Sequence, residues 1–276
     1  MIDLHCHILP ELDDGASNWE QAMAMARLSS GDGITDVVCT PHWVPGKYDN
    51  TRPVILEQVA TFQRMLTEAA IPLKVHAGME LRLDITIPAR VLSGELLTVA
   101  DRGLYALIEL PEESLPDHLD EFFWNLEMQR LKPIISHVER NAIFRDDPER
   151  LFRLVEKGYL TQITAASLVD NINSEVYEFA AFILEHRLAH IMVTDSHSLR
   201  MRKPILSEGV AAAAVIVGEK AAKRMVEEIP QKILTGQYVD IPDPLPIRRE
   251  KTYFDFPNKL LNGLLNKISD KISKKN

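Results

Sequence analysis

Short apolar runs rich in β-branched residues alternate with longer segments of helical periodicity along most of this chain. The runs are apolar on both faces, which is typical of parallel strands covered by helices. Because the alternation repeats roughly seven times, we predict a closed or nearly closed β/α barrel, with a doubly wound open sheet as the structural alternative. The predicted strands are residues 2–7, 34–40, 73–81, 105–110, 133–137, 160–165 and 190–194.

Helical signals occupy the segments between these strands. A helix over residues 17–32 is predicted to begin at Ser17, with Glu20 three residues later in the capping-box position. The last predicted helix of the barrel covers residues 219–228. Prolines recur within residues 230–246 and favour an extended strap over the barrel.

Residues 248–276 differ in charge from the rest of the chain. They contain eight Lys or Arg and three Asp or Glu, a net charge of +5, whereas the whole chain carries −9, which leaves −14 on residues 1–247. Several apolar residues of this segment fall on one helical face: Leu260, Leu261, Leu264, Leu265, Ile268 and Ile272. A basic amphipathic helix can dock on an anionic membrane surface or a partner, and the alternative is a helix that packs on its own barrel or frays. We therefore expect a barrel domain over 1–247 and a basic tail over 248–276.

The overall composition excludes several classes of protein. The acidic balance argues against a nucleic-acid-binding protein with a broad basic face. Cys6 and Cys39 are too few for a disulfide framework or a Cys-rich zinc site, which favours a reducing compartment. The first residues lack the charged and apolar regions of a signal peptide, and no run of about 18 apolar residues could span a membrane. We therefore expect a cytoplasmic protein.

Potential metal ligands stand at the end of the first predicted strand. His5 and His7 are two positions apart, so both imidazoles point to the same face of a strand while Cys6 points to the other. Asp13 and Asp14 follow before Gly15, in the kind of loop where barrel active sites form. The alternative for this acidic pair is an ordinary Asx turn, and one carboxylate can serve the turn while the other faces inward.

Imidazoles and carboxylates recur at the C-terminal ends of most of the other predicted strands. Core packing does not explain this repetition, and a buried carboxylate such as Glu109 costs several kcal/mol unless it is paired or bound to a cation. The candidate ligands are His5, His7, Asp14, His42, Glu80, Glu109, His137, Asp195 and His197. Nitrogen and oxygen donors suit Mn²⁺, Fe or Zn²⁺, and nine of them imply two or three ions. Clusters of this kind suit phosphoester hydrolysis.

The motifs that carry these residues, taken in order, resemble the PHP (polymerase and histidinol phosphatase) family of metal-dependent phosphoesterases. Within that family they are most similar to the bacterial tyrosine phosphatase branch tied to capsule and exopolysaccharide synthesis, the CpsB/YwqE type. The resemblance covers about residues 1–240. The motifs are MIDLHCHILPELDDG, TPHW, GMELR, YALIEL, PIISHVER and TDSHSL.

The resemblance implies a distorted (β/α)7 TIM-like barrel with three divalent ions at its C-terminal mouth, often manganese, held by the nine residues above. It also implies two phosphate-binding catalytic arginines, which match Arg140 and Arg202, with Arg200 as a competing match for the second. The implied substrate is a phosphotyrosine protein, the Tyr-rich tail of a membrane-bound bacterial tyrosine autokinase. Cysteine-based tyrosine phosphatase chemistry is excluded, because neither Cys6 nor Cys39 is followed by the arginine of a Cys-x5-Arg motif.

Three other functions remain open at this point. The chain could be a PHP-type phosphoesterase acting on a small molecule such as histidinol phosphate. It could be a non-catalytic metal-binding regulator of polysaccharide synthesis, although the complete ligand set argues against that. It could catalyse amidohydrolase-type C–N hydrolysis, but nine ligands exceed what one or two metals need.

Overall fold

The computed structural model describes residues 1–169 and 174–247 of the chain. Its strands are β1 (Ile2–Cys6), β2 (Asp36–Cys39), β3 (His42–Trp43), β4 (Lys74–Ala77), β5 (Glu80–Arg82), β6 (Tyr105–Glu109), β7 (Lys132–Ile135), β8 (Leu160–Thr164) and β9 (Ile191–Val193). Within these ranges the strands pair in parallel and form a three-stranded sheet, β1-β2-β4, and a six-stranded sheet, β3-β5-β6-β7-β8-β9. A parallel bridge between Cys6 and Ser196 joins the two sheets, so that the strands curl around a shared centre in a mixed α/β fold.

Helices follow most strands and cover the outside of the curled sheet. They are α1 (Trp19–Gly31), α2 (Arg52–Glu68), α3 (Ile87–Leu92), α4 (Leu119–Met128), α5 (Ala142–Asp146), α6 (Pro148–Glu156), α7 (Ser174–Glu185), α8 (Ser207–Val217), α9 (Glu219–Arg224) and α10 (Glu228–Leu234). Their apolar faces pack on the sheet in one large buried cluster that includes Phe62, Phe122 and Phe179. This burial supplies the main driving force for folding.

A smaller apolar cluster fills the N-terminal ends of the strands. It contains the first residues of four strands, Ile2, Tyr105, Leu160 and Ile191, together with apolar side chains of α10. Because this end is filled with apolar side chains, the buried polar residues concentrate at the opposite end of the sheet, where the strands finish. That end carries the candidate site.

Two predicted strands are wrong in extent: one is broken into two strands, and the other ends one residue early, before a separate short strand. The prediction of one strand over 73–81 is replaced by β4 and β5, which belong to different sheets. Gly78 lies at the break, where an added Cβ would stand 2.8 Å from Val38 Cγ1, so only glycine allows the backbone to approach β2 this closely. The predicted strand 34–40 likewise ends at Cys39 and resumes as β3 after Pro41, which has no N–H for the ladder.

Three predictions about helices and the segment after them are also wrong. The N-cap of α1 is Asn18, which accepts the backbone N–H of Gln21, whereas Ser17 donates its hydroxyl to the Gln21 side chain. The predicted strap over 230–246 is partly helical, because Pro230 lies in the first turn of α10, where proline is tolerated. The preceding helix ends at Arg224 instead of residue 228.

The segment after α10 crosses the apolar end of the sheet. The Tyr105 hydroxyl accepts the backbone N–H of Val239 and donates to the carbonyl of Gln237. Among the described residues, every helix is too short or too polar to cross a lipid bilayer. The amphipathic helix predicted in 248–276 lies outside the described residues.

Candidate metal centre

The structure brings all nine predicted ligands together at the C-terminal ends of the strands, and we call these nine residues the donor cluster. Seven of them form three overlapping groups, within each of which the ligand atoms lie within 4.8 Å of one another. The groups are His7, Asp14, His42 and His197; His5, His7 and Glu80; and His42, Glu80 and Glu109. His137 and Asp195 lie beside them, at 3.1 Å from Glu80 and 3.4 Å from His5.

Several nitrogen and oxygen atoms at the centre of the cluster lie within hydrogen-bond distance of one another. His5 Nε2 lies 3.0 Å from His7 Nε2 and 3.2 Å from Glu80 Oε2. His42 Nδ1 lies 3.0 Å from the same Glu80 oxygen. Glu80 is fully buried, yet within the described part of the chain its Oε2 has no hydrogen-bond partner, and neither have the buried His42 Nδ1 and His197 Nε2. Because orphaned buried donors and acceptors are costly, converging lone pairs of this kind fit bound cations.

The ring orientation of two histidines supports the same conclusion. His7 Nδ1 lies 2.6 Å from Asp13 Oδ2, and His197 Nδ1 lies 2.9 Å from the Asp195 carbonyl oxygen. When the Nδ1–H groups donate to these acceptors, both Nε2 lone pairs face the cluster. Metal-binding histidines are held in this way by hydrogen bonds to their second ring nitrogen.

Gln162 stands behind His5 in a similar position. Its Nε2 lies 3.1 Å from His5 Nδ1, and its Oε1 is buried without a partner. A half-turn of the amide lets Oε1 accept the His5 Nδ1–H, which satisfies both groups and leaves the His5 Nε2 lone pair directed into the cluster.

The two carboxylates before Gly15, Asp13 and Asp14, make different contacts. Asp13 is the buried one, and its Oδ2 binds His7 while it also accepts the backbone N–H of His42 at 2.9 Å. Asp14 is half exposed and its Oδ1 lies about equally far from His42 and His197, at 3.5 and 3.4 Å. A Cβ on Gly15 would stand 2.1 Å from the His7 carbonyl oxygen, so glycine is required for this turn. Asp13 thus serves the turn and orients a histidine, which the sequence interpretation missed.

Two of the predicted arginines approach the cluster and the third does not. Arg140 donates to Asp195 Oδ2 at 2.6 Å, and Arg202 lies 3.4 Å from the same oxygen and 3.8 Å from Asp14 Oδ2. Both line an open cavity of about 410 Å³ at the mouth of the cluster. Arg200 is exposed and lines a separate surface groove, so of these two arginines only Arg202 reaches the cavity at the donor cluster.

Electrostatics within the cluster are dominated by buried carboxylates. Burial raises the pKa of Glu80, but the neighbouring His5 charge and a hydrogen bond from His137 outweigh burial and hold it well below its usual range. Burial likewise raises the pKa of Asp195, but the His5 charge, a hydrogen bond from His7 and the Arg140 charge hold it well below its usual range. Burial lowers the pKa of His137, but its hydrogen bond to Glu80 and the Glu80 charge raise it to about 9. The carboxylates therefore attract a proton onto His137, as they would attract metal cations.

A hydrogen-bond network supports Arg140 from behind. Its Nη2 donates to Thr164 Oγ1 at 3.0 Å. Glu139, which is fully buried, accepts from the Thr164 backbone N–H and lies within hydrogen-bond distance of the Thr164 and Ser167 hydroxyls. The only sequence signal for this network is the place of Glu139 between His137 and Arg140, because Thr164 and Ser167 come from a distant part of the chain.

Backbone strain marks two of the candidate ligands. His137 and Asp195 have positive φ angles of 30° and 48°, a region that non-glycine residues occupy at some energetic cost. Each lies two residues after the end of a strand, where the chain turns. Such strain persists only where surrounding contacts determine the conformation, and it is concentrated at functional sites.

Comparison with known proteins links this site to a group of bacterial enzymes. Residues 1–235 match the family described as capsular polysaccharide synthesis, CpsB/CapC. The chain is 32% identical over 253 residues to the tyrosine-protein phosphatase YwqE of Bacillus subtilis, covering 92% of this chain and 99% of YwqE. It is 28% identical to the tyrosine-protein phosphatase CpsB of Streptococcus pneumoniae, covering 87% of this chain and all of CpsB.

A solved structure agrees with the sequence matches. The fold superimposes with a TM-score of 0.85 and 31% identity on a chain from the crystal structures of YwqE from B. subtilis and CpsB from S. pneumoniae, described as unique metal-dependent tyrosine phosphatases. The superposition covers 90% of this chain and all of the other.

Proposed function

The chain belongs to the CpsB/CapC family of capsular polysaccharide synthesis, and from this premise we propose that it is a metal-dependent tyrosine-protein phosphatase that regulates capsule or exopolysaccharide synthesis. This family membership agrees with the resemblance that the motifs indicated. The observation that carries the proposal is the donor cluster itself: nine imidazole and carboxylate side chains beside two arginines at one cavity.

We propose that the donor cluster holds three divalent ions and that these are manganese, with Fe or Zn as alternatives. Three overlapping groups that share His7, His42 and Glu80 as common donors support the number three. Purely nitrogen and oxygen donors support a metal of this class. We also propose that the strands form the (β/α)7 barrel of the PHP type. Joining β2 to β3 and β4 to β5 across their breaks gives seven strands around the barrel.

The reaction we propose is hydrolysis of a phosphotyrosine ester. When bound, the divalent ions supply hydroxide near neutral pH and neutralise phosphoryl charge. Arg140 and Arg202 bind the phosphoryl oxygens, because a planar guanidinium offers paired N–H donors that match phosphate. Asp195 orients both guanidinium groups. The phenolate leaving group, with a parent pKa near ~10, requires less proton donation than an alkoxide.

The substrate we propose is the Tyr-rich phosphorylated tail of a membrane-bound tyrosine autokinase, and we propose that the chain binds this tail in the cytoplasm. Residues 1–247 carry a net charge of −14 and therefore repel an acidic phosphopeptide at long range. Local attraction comes from the cations at the cavity, which are Lys47, Arg82, Arg140 and Arg202. We propose that the basic tail adds docking near the membrane.

A substrate panel tests the proposal. The manganese-loaded chain and its chelator-treated form are assayed on a phosphotyrosine peptide, histidinol phosphate and single-stranded DNA. We expect metal-dependent release of phosphate from the peptide above the other two substrates. Preference for histidinol phosphate would identify a small-molecule phosphoesterase, and no turnover with full metal occupancy would indicate a non-catalytic regulator. Deleting residues 248–276 should slow turnover of the membrane-bound kinase but not of a small aryl phosphate.

A further inference from the structure

The walls of the cavity at the donor cluster differ sharply in chemistry. Ten of the twelve described residues that line it are Asp, Glu, His, Lys or Arg, among them Glu109, Arg140 and Arg202. The other two are Val44 and Tyr48, which we call the aromatic wall. An aryl ring attached to a bound phosphate gains from contact with apolar and aromatic surface, and among the described residues that line this cavity only the aromatic wall offers a surface that stays uncharged near neutral pH.

The aromatic wall is part of a tight turn between β3 and α2. Val44 and Tyr48 form an antiparallel bridge in which each backbone N–H donates to the carbonyl of the other, at 3.1 and 2.9 Å. Gly46 adopts a positive φ of 76° at the tip, a conformation that favours glycine. The turn is therefore held by its own backbone hydrogen bonds and presents its side chains in a defined position.

A second set of contacts ties this turn to the donor cluster. Asn50 donates through Nδ2 to the carbonyls of His42 and Leu12, at 2.8 and 2.9 Å, and so joins the turn to β3 and to the loop that carries Asp14. The Tyr48 ring lies nearly parallel to the His42 ring, with 11° between their planes and 5.8 Å between their centroids. Lys47 Nζ lies 4.6 Å from the centre of the Tyr48 ring.

From this placement we propose that Tyr48, supported by Val44, recognises the aryl ring of the substrate and makes the site selective for aryl over alkyl phosphates. The inference rests on the proposed function, whose phosphoryl-binding groups are charged residues that line the same cavity. The phosphate is bound by charge and the ring by the aromatic wall, so the two halves of a phosphotyrosine side chain meet different surfaces. Lys47, which is exposed and lies against the Tyr48 ring, adds a cation that an acidic peptide can contact beside the aromatic wall.

Binding of small anions to the manganese-loaded chain tests this role. Affinities for phenylphosphonate, methylphosphonate and inorganic phosphate are measured by titration calorimetry for the wild type, Tyr48→Ala and Tyr48→Phe. An aromatic contact predicts that Tyr48→Ala weakens phenylphosphonate binding about fivefold to tenfold. Binding of methylphosphonate and inorganic phosphate should change by less than about twofold, since neither anion presents a ring. Tyr48→Phe should restore the aryl preference, and Tyr238→Ala, which removes an exposed tyrosine elsewhere, is the matched control.

Two outcomes would overturn the proposal. Equal weakening of all three anions, accompanied by lower manganese content, would mean that Tyr48 only holds His42 in place. Unchanged phenylphosphonate affinity in Tyr48→Ala would mean that the phenyl ring of the ligand does not contact Tyr48. Calorimetry needs no turnover, so a wild type that binds phenylphosphonate selectively but fails to hydrolyse a phosphotyrosine peptide would contradict the proposed function and not this inference.

Discussion

Replacing Asp13 with asparagine should weaken manganese binding, although Asp13 is not a member of the donor cluster. Asp13 Oδ2 accepts from His7 Nδ1 at 2.6 Å and from the His42 backbone N–H at 2.9 Å, and Oδ1 accepts from the Gly15 backbone N–H at 2.9 Å. Burial raises the pKa of Asp13, but the charge and hydrogen bond of His7 lower it below its usual value, so the acceptor is ionised.

The size of the effect follows from these three hydrogen bonds. An asparagine oxygen in the Oδ2 position keeps two of them but loses the charge, at a cost of about 1 kcal/mol each. Its amide NH2 then faces the Gly15 N–H, and the third bond is lost at a cost of about 1 kcal/mol. The total cost is therefore about 3 kcal/mol. Part of it appears as weaker metal binding, because loss of the partner that orients a metal-binding histidine lowers metal affinity about 10- to 100-fold. The remainder lowers the stability of the metal-free protein.

The assay is a competitive manganese titration against a chelator of known affinity, read by elemental analysis of the protein fraction. The matched control is Asp36→Asn, because Asp36 makes a similar pair with His76 at 2.9 Å on strands β2 and β4, outside the donor cluster. We expect Asp36→Asn to bind manganese like the wild type. If Asp13→Asn also retains wild-type affinity, then the orientation of His7 by Asp13 has no bearing on metal binding and our reasoning is refuted.

Three further predictions concern the arginines and the protonation of the cluster. Arg202→Ala should lower kcat/KM on an aryl phosphate by about 100-fold through loss of transition-state charge stabilisation, whereas Arg200→Ala should stay within about twofold; equal losses would contradict the assignment. Glu139→Gln should lower kcat about tenfold at unchanged metal content, since it loosens the support of Arg140, and a loss of metal instead would show a different role. Burial lowers the pKa of His137, but the bond and charge of its carboxylate partner raise it from 6.5 to about 9. The resulting stabilisation of the metal-free protein is complete below pH 6.5 and disappears as the pH rises through 9. The urea midpoint of unfolding of the metal-free protein should therefore fall between pH 6.5 and 9. A midpoint that stays constant over this range would count against the pairing of His137 with Glu80.

Much of the site could be predicted from the sequence because of the way parallel strands are arranged. Their C-terminal ends meet on one side of a sheet, so His5, Glu109 and Asp195 converge once they are placed at strand ends. His42 and Glu80 are the first residues of β3 and β5, just after the strand breaks at Pro41 and Gly78, and both still reach the donor cluster. The broken strands therefore changed the predicted element boundaries without changing the predicted cluster.

The supporting residues could not be predicted in the same way. Gln162 behind His5, and Thr164 behind Arg140, come from a strand whose partners are far away in sequence, and no local pattern specifies such contacts. Asp13 was visible in the sequence, but which carboxylate of the pair turns inward depends on the close approach of Gly15 to His7. The N-cap at Asn18 was missed because Ser17 offers an equally good capping side chain one residue earlier.

Anomalous diffraction at the manganese absorption edge, from crystals of the full chain grown with manganese, tests the central claim most directly. The donor cluster predicts three anomalous peaks at the C-terminal ends of the strands, bound by side chains of His7, His42 and Glu80 among others. A cavity without anomalous peaks in crystals grown at saturating manganese, or manganese bound elsewhere on the chain, would contradict the account.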